Sequence, residues 1–265
     1  TPTSWDVESK KNIAWTTSIP GLAHSSPIIW KDRLYLTTVI GPGDPELKLG
    51  LYGSIEPAKD KGEHQWRLLA IDRKTGKVLF DKLGLKAEPR SQRHTKATQC
   101  NSTPATDGNF IVGSEGLFCF DMEGQLIWKK DLGEMNAGYF KMPTAQWGFA
   151  SSPVIHDGKV IVQCDVQKDS FIALFDLKTG KQIWKTPRND VPTWSTPTVA
   201  KWKDQTQILV NGWKHTGAYD FKTGKEIWRL KGGGDIPVPT PIVGDGMAYF
   251  TSAHGMFRPI RAIRL

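Results

Sequence analysis

Any chemistry in this 265-residue chain must come from six histidines, three cysteines, eleven tryptophans and the charged groups around them. The histidines, at positions 24, 64, 94, 156, 215 and 254, lack the spacing of zinc ligands, and no HExxH occurs. Cys100, Cys119 and Cys164 are isolated and odd in number, so no disulfide framework or CxxC redox pair is indicated, and Cys119 in its apolar run reads as a small hydrophobe. Gly232-Gly233-Gly234 lacks the Lys-Ser/Thr of a phosphate loop, and Gly113-Ser114-Glu115-Gly116 is not a nucleophile elbow; both read as turns. What remains is binding chemistry. His24, Asn101, Gln146, Trp147, Asp165, Trp194, Lys214, His215 and His254 combine two indoles, three imidazoles, two amides, a carboxylate and a cation. They are far apart in sequence, so only a fold that gathers equivalent points of a repeated unit can assemble them.

Such a repeat is present. Four segments carry an acidic residue, a glycine turn and a strand with an aromatic four residues after the glycine: Asp72 to Gly76 with Phe80, Asp121 to Gly124 with Trp128, Asp176 to Gly180 with Trp184, and Asp220 to Gly224 with Trp228. A second anchor is a small hydroxyl residue before proline, in Ser26-Pro27, Thr103-Pro104, Ser152-Pro153, Thr196-Pro197 and Thr240-Pro241. The prolines are 77, 49, 44 and 44 residues apart, and short β-branched and aromatic runs with tight turns fill the intervals. Each unit reads as four antiparallel strands, A to D. Proline fixes the backbone on entry to strand A, glycine supplies the positive φ of the C–D turn, and the acidic residue accepts the amides of that turn. The strand-D indole is too large for one sheet and is expected to wedge against the next.

Net charge is +8, but the 35 Lys and Arg are interspersed with 27 Asp and Glu, which reads as solubility and not as a nucleic-acid surface. The densest basic stretch, Lys86 to Lys96 with Arg90, Arg93 and His94, reads as a solvated loop. No apolar run approaches the ~18 residues of a spanning helix. The start, Thr1-Pro2-Thr3 without Met, reads as a processed or truncated end.

With Ala70-x-Asp72-x-x-Thr75-Gly76 in the first unit and Asp220-x-x-Thr223-Gly224-x-x-x-Trp228 in the fourth, the chain resembles the quinoprotein-like, or PQQ-like, β-propeller repeat family. Phe80 replaces the family Trp, Leu174 the family Ala, and the second unit is one residue short before Gly124. The resemblance implies an all-β, single-domain β-propeller over 1–265. Its units are an orphan outer strand at 12–17, whole blades at 26–83, 103–132, 152–186 and 196–230, and a partial blade at 240–265. Two architectures fit: a piece of a seven- or eight-bladed propeller, which we favour, or a five-bladed ring closed by 12–17.

Antiparallel order puts the A–B and C–D turns at one end and all irregular sequence at the other: the insertion 41–63 and the connectors 84–102 and 133–151. The nine candidate residues fall at this loop-rich end, around the expected channel mouth. The resemblance implies two functions. One is a non-catalytic propeller of the bacterial cell envelope, periplasmic or extracellular, holding a protein or polymer partner; because indoles such as Trp147 and Trp194 can stack on sugar rings, a carbohydrate belongs to the same class. The other is an alcohol or sugar dehydrogenase using PQQ with Ca²⁺. Against the second, the adjacent cysteines that such enzymes place over the quinone are missing, as is a haem-attaching CxxCH.

Overall fold

The computed structural model describes residues 2–43, 47, 56–113, 116–252 and 254–265. Every regular element among them is a strand. β1 (Ile28–Trp30), β2 (Arg33–Ile40), β3 (His64–Asp72) and β4 (Val78–Ala87) pair in sequence order as the first blade. β5 (Ala105–Thr106) to β6 (Phe110–Gly113), β7 (Phe118–Asp121) and β8 (Leu126–Lys129) form the second. A hairpin of β9 (Gly138–Tyr139) and β10 (Met142–Gln146) then interrupts the connector, which sequence reading treats as a plain loop. The third blade is β11 (Val154–His156), β12 (Lys159–Cys164), β13 (Phe171–Asp176) and β14 (Gln182–Pro187). The fourth is β15 (Thr198–Trp202), β16 (Gln205–Val210), β17 (His215–Asp220) and β18 (Glu226–Lys231). β19 (Ile242–Gly244), β20 (Met247–Thr251) and β21 (Ile260–Arg264) make a three-stranded fifth sheet.

The inner strands of the third blade are apolar on both faces because that blade is covered by a neighbour on either side. In β13, Phe171, Ala173 and Phe175 pack with Val112, Cys119 and Trp128 of the second blade. The alternate residues Ile172 and Leu174 pack with Ile208, Val210 and Tyr219 of the fourth. The period-two alternation of a strand thus serves two cores, and no residue of Phe171–Phe175 is more than 4 % exposed. Cys119 is completely buried, as its apolar run implies, and burial pushes its thiol up to about 12.

Three joints recur from blade to blade. At the turn end, the strand-D aromatic lies on the glycine turn of the next blade. A Cβ on Gly124, Gly180 or Gly224 would fall 2.7, 2.6 or 2.5 Å from the ring of Phe80, Trp128 or Trp184. The indoles add hydrogen bonds, from Trp128 Nε1 to Leu177 O at 2.8 Å and from Trp184 Nε1 to Phe221 O at 3.0 Å. The wedge predicted from the sequence is therefore observed, and the glycines are required twice, by φ of +65° to +80° and by the ring. In three of the turns the aspartate accepts its own Thr amide and hydroxyl, as Asp72 does at 2.7 and 2.8 Å, whereas Asp121, whose turn lacks a threonine, accepts the Glu123 and Gln125 amides; the threonine hydroxyls hold Asp72 and Asp176 below the usual carboxylate range.

The second joint explains the hydroxyl before proline. Ser26 N donates to Thr103 Oγ1, Thr103 N to Ser152 Oγ and Ser152 N to Thr196 Oγ1, each at 3.0 Å. The third joins amides at equivalent places in adjacent blades: Gln163 Nε2 donates to Asn211 O at 2.9 Å, and Asn211 Nδ2 to Thr251 O at 3.1 Å.

Residues 12–17 form no strand and do not pair with β21. They nevertheless occupy the place of a strand D against the first blade. Trp15 Nε1 bonds Arg73 O and Thr17 Oγ1 bonds Gly76 O, matching Trp184 on Phe221 and Thr186 on Gly224. The hydrogen-bonded closure of a five-bladed ring is absent among the described residues.

Candidate functional site

The nine residues singled out in the sequence lie at the loop-rich end, but they separate into three groups. Asn101, Gln146 and Trp194 brace the connectors between blades. Asn101 Oδ1 accepts Thr98 N and Oγ1, while its Nδ2 donates to Thr98 O and Phe149 O. Gln146 donates to Pro143 O and to Gln167 Oε1 at 2.7 Å, and Trp194 Nε1 donates to Gly148 O at 2.7 Å. His24, Trp147, Lys214 and His254 form an exposed rim. Trp147 stacks on the imidazole of His94 at 4.6 Å, and His254 pairs with Asp235 at 3.5 Å.

Asp165 and His215 form the third group, in a fully buried polar cluster between the third and fourth blades. Its centre is Arg188, just beyond β14. Arg188 Nε and Nη2 grip Asp165 at 2.6 and 3.1 Å, Nη1 donates to Tyr219 Oη at 3.0 Å, and Nη2 reaches Asp190 at 3.5 Å. Asp165 also accepts Gln163 Nε2 and Thr193 Oγ1, both at 2.8 Å. Both Arg188 and Asp165 are 0 % exposed. Burial is the largest single influence and opposes the guanidinium charge, but Asp165, Tyr219 and Asp190 together outweigh it and raise Arg188 above its ordinary value. Asp190 is pushed up to about 6 by burial and then by Asp165, against the pull of Arg188. His215 lies with Nδ1 3.3 Å from Asp190, without a hydrogen bond at either ring nitrogen; burial, then Arg188, bring it down to about 4. It is neutral at physiological pH.

Sequence reading missed Arg188, Asp190 and Tyr219, and it missed a second Asp–Arg fork between the first two blades. There Arg93 Nε and Nη2 each reach Asp60 at 2.7 Å. Arg93 and His94 are therefore buried, at 2 % exposure each, which corrects the reading of this stretch as a solvated loop. The available signal was positional: in both cases an aspartate of a B–C loop meets an arginine of the connector that follows strand D. Part of the 41–63 insertion, residues 44–46 and 48–55, lies outside the described residues.

The hairpin β9–β10 reaches from the connector between the second and third blades to the fourth, where Phe140 meets Trp213 with ring centroids 4.2 Å apart. Two cavities at this end, of about 440 and 420 Å³, are lined by other residues, around His64 and Arg93 and around Met135 and Phe171. The nine residues thus do not converge on one cavity.

PQQ with Ca²⁺ requires a flat slot beside an aromatic face and free oxygen ligands for the ion. The residues present do not fit. Asp165 is saturated by Arg188, Gln163 and Thr193, Trp194 is only 9 % exposed, and the three cysteines are separate and buried. No group of three or more His, Cys, Asp or Glu able to hold a metal occurs among the described residues.

The family model described as outer membrane protein assembly factor BamB matches residues 67–255. Among solved structures, BamB from Moraxella catarrhalis is similar at 15 % identity and a TM-score of 0.48, over 90 % of this chain and 70 % of that one. A quinohemoprotein alcohol dehydrogenase from Comamonas testosteroni gives 16 % identity and a TM-score of 0.48, over 79 % of this chain and 39 % of that one. A europium-containing methanol dehydrogenase gives 12 % and 0.45, over 89 % of this chain and 66 % of that one. No curated protein matches the chain. With more than half of its length matched by the family model, the chain belongs to the PQQ-like propeller family described as outer membrane protein assembly factor BamB.

Proposed function

We propose that this chain is a non-catalytic scaffold of the bacterial cell envelope that holds a protein partner at its loop-rich end. The observation that carries the reading is how the polar groups there are disposed. Asp165 and Arg188 are spent on each other and Asn101 on Thr98 and Phe149, so these groups stiffen the blades and the loops between them. Around them the rim exposes Trp147, Lys214 and His254, an indole and cationic or polar groups of the kind that make protein contacts. Family membership agrees with an envelope location, and a rigid scaffold carrying variable loops is the usual platform for recognition.

Photo-crosslinking in the source cells tests this. With p-benzoylphenylalanine at position 147 we expect a discrete protein adduct, and at Lys178, on the turn end, none. Equal labelling from both ends would overturn the placement. The dehydrogenase alternative has its own readout: PQQ with Ca²⁺ at high excess should leave the melting temperature unchanged, because a ligand that binds the folded state must raise it. A clear rise would sink the scaffold reading.

A further inference from the structure

Aromatic and cationic side chains recur across the loop-rich end from the β9–β10 hairpin to the fifth sheet, joined at Gly232-Gly233 by backbone contacts. Phe140 rests on Trp213, Gly233 N bonds Trp213 O at 2.8 Å, and Gly232 N bonds Lys214 O at 2.6 Å. A Cβ on Gly232 would stand 3.7 Å from Phe257, and the Arg261 guanidinium lies 5.7 Å from the centroid of that ring while also bonding Gly232 O. Lys141, Lys214, Lys231 and Arg258 on these segments are all exposed. The carboxylates on the same segments are turned inward: Asp190 is 0 % exposed beside Arg188, and Asp235 14 % exposed beside His254. Overall charge therefore understates the local sign, and the strip presents cations with no exposed acid among its described residues.

We infer that this strip, from the hairpin over Trp213 and Lys214 to Phe257, docks an acidic, aromatic-containing peptide segment of a partner protein. The inference rests on the scaffold reading above. Charge complementarity selects acidic chemistry. Sugar stacking is disfavoured because cations of this chain already approach two of the rings, Lys141 at 5.4 Å from Phe140 and Arg261 at 5.7 Å from Phe257. Those cations instead reach past the rings towards carboxylates.

The test is fluorescence anisotropy of the full 265-residue chain with a labelled random glutamate–tyrosine copolymer, with alginate as a polyanion lacking aromatics. The copolymer should bind in a salt-sensitive manner. The Lys141→Glu, Lys214→Glu double variant should weaken it about tenfold. The Lys178→Glu, Lys222→Glu pair at the turn end should change it less than about twofold. Phe140→Ala should weaken the copolymer without changing its salt dependence. The four lysines are exposed and Phe140 is half-buried against Trp213, so unchanged melting curves are required of every variant to confirm the fold. Absence of copolymer binding overturns the inference, as does equal loss in both double variants or alginate binding as tightly as the copolymer. Crosslinks from position 147 combined with no copolymer binding would overturn the acidic chemistry alone and leave the scaffold reading standing.

Discussion

Two residues with opposed pKa shifts sit within 3.3 Å of each other, and their titrations push the stability of the wild type in opposite directions. His215 is held near 4, below its unfolded value of 6.5, so the stability it contributes is present above pH 6.5 and lost as pH falls towards 4. Asp190 is held near 6, above 3.8, so its contribution is present below pH 3.8 and lost as pH rises through 6. Between about pH 4 and 6 the pair therefore adds two opposing slopes to the wild-type urea midpoint. Asp190→Asn isolates His215, and its midpoint should climb with pH across that window. His215→Gln isolates Asp190, and its midpoint should fall. Slopes of the same sign in the two variants would refute this account. Neither shift was visible in the sequence, where His215 reads as a candidate binding residue and Asp190 is not singled out; burial between two blades creates both.

At the scale of the element, the aromatic–glycine joint is the unit of cohesion, and its parts are not interchangeable. Trp184→Ala removes an indole that covers Gly224 and donates to Phe221 O, and should destabilise the chain by about 3 kcal/mol. Gly224→Ala should cost about 2 kcal/mol or more, since it strains a φ of +71° and drives a methyl into the same ring. Combined, the two should lose much less than their sum, because either change breaks one shared contact. Chemical denaturation of the two single variants and the double checks this, and full additivity would show that ring and glycine act independently. This joint was legible because Gly and Trp recur at fixed spacing. The Ser/Thr–Pro anchor was legible only as a pattern, since the hydroxyl acts on an amide 44 to 77 residues away. The β9–β10 hairpin was not legible at all: its strands are two and five residues long and lack alternation.

For the molecule as a whole, stability should be graded along the repeat, as expected when each blade touches only its neighbours. The third blade is covered on both faces and carries the slowest-exchanging amides we expect, in β12 and β13. The fifth sheet has three strands, with Ile242 67 % and Ile260 83 % exposed, and its amides should exchange fastest in the 265-residue chain. Hydrogen–deuterium exchange read by strand measures the gradient; uniform protection from β11 to β21 would show a single cooperative unit instead.

The sequence by itself determined the repeated four-stranded unit, its glycine turns and wedging aromatics, and the end of the blades where irregular chain collects. These are local: a turn needing positive φ and an indole needing a partner leave their mark at fixed spacing. Only the tertiary structure decided which polar residues face solvent. Arg188 and Arg93 look like surface cations until an aspartate from another segment meets each of them. Asp165 and His215 look like a binding pair until two blades close over them. The exposed cationic strip likewise exists because folding turns Asp190 and Asp235 inward, a choice made by contacts between distant segments and written in no single stretch of chain.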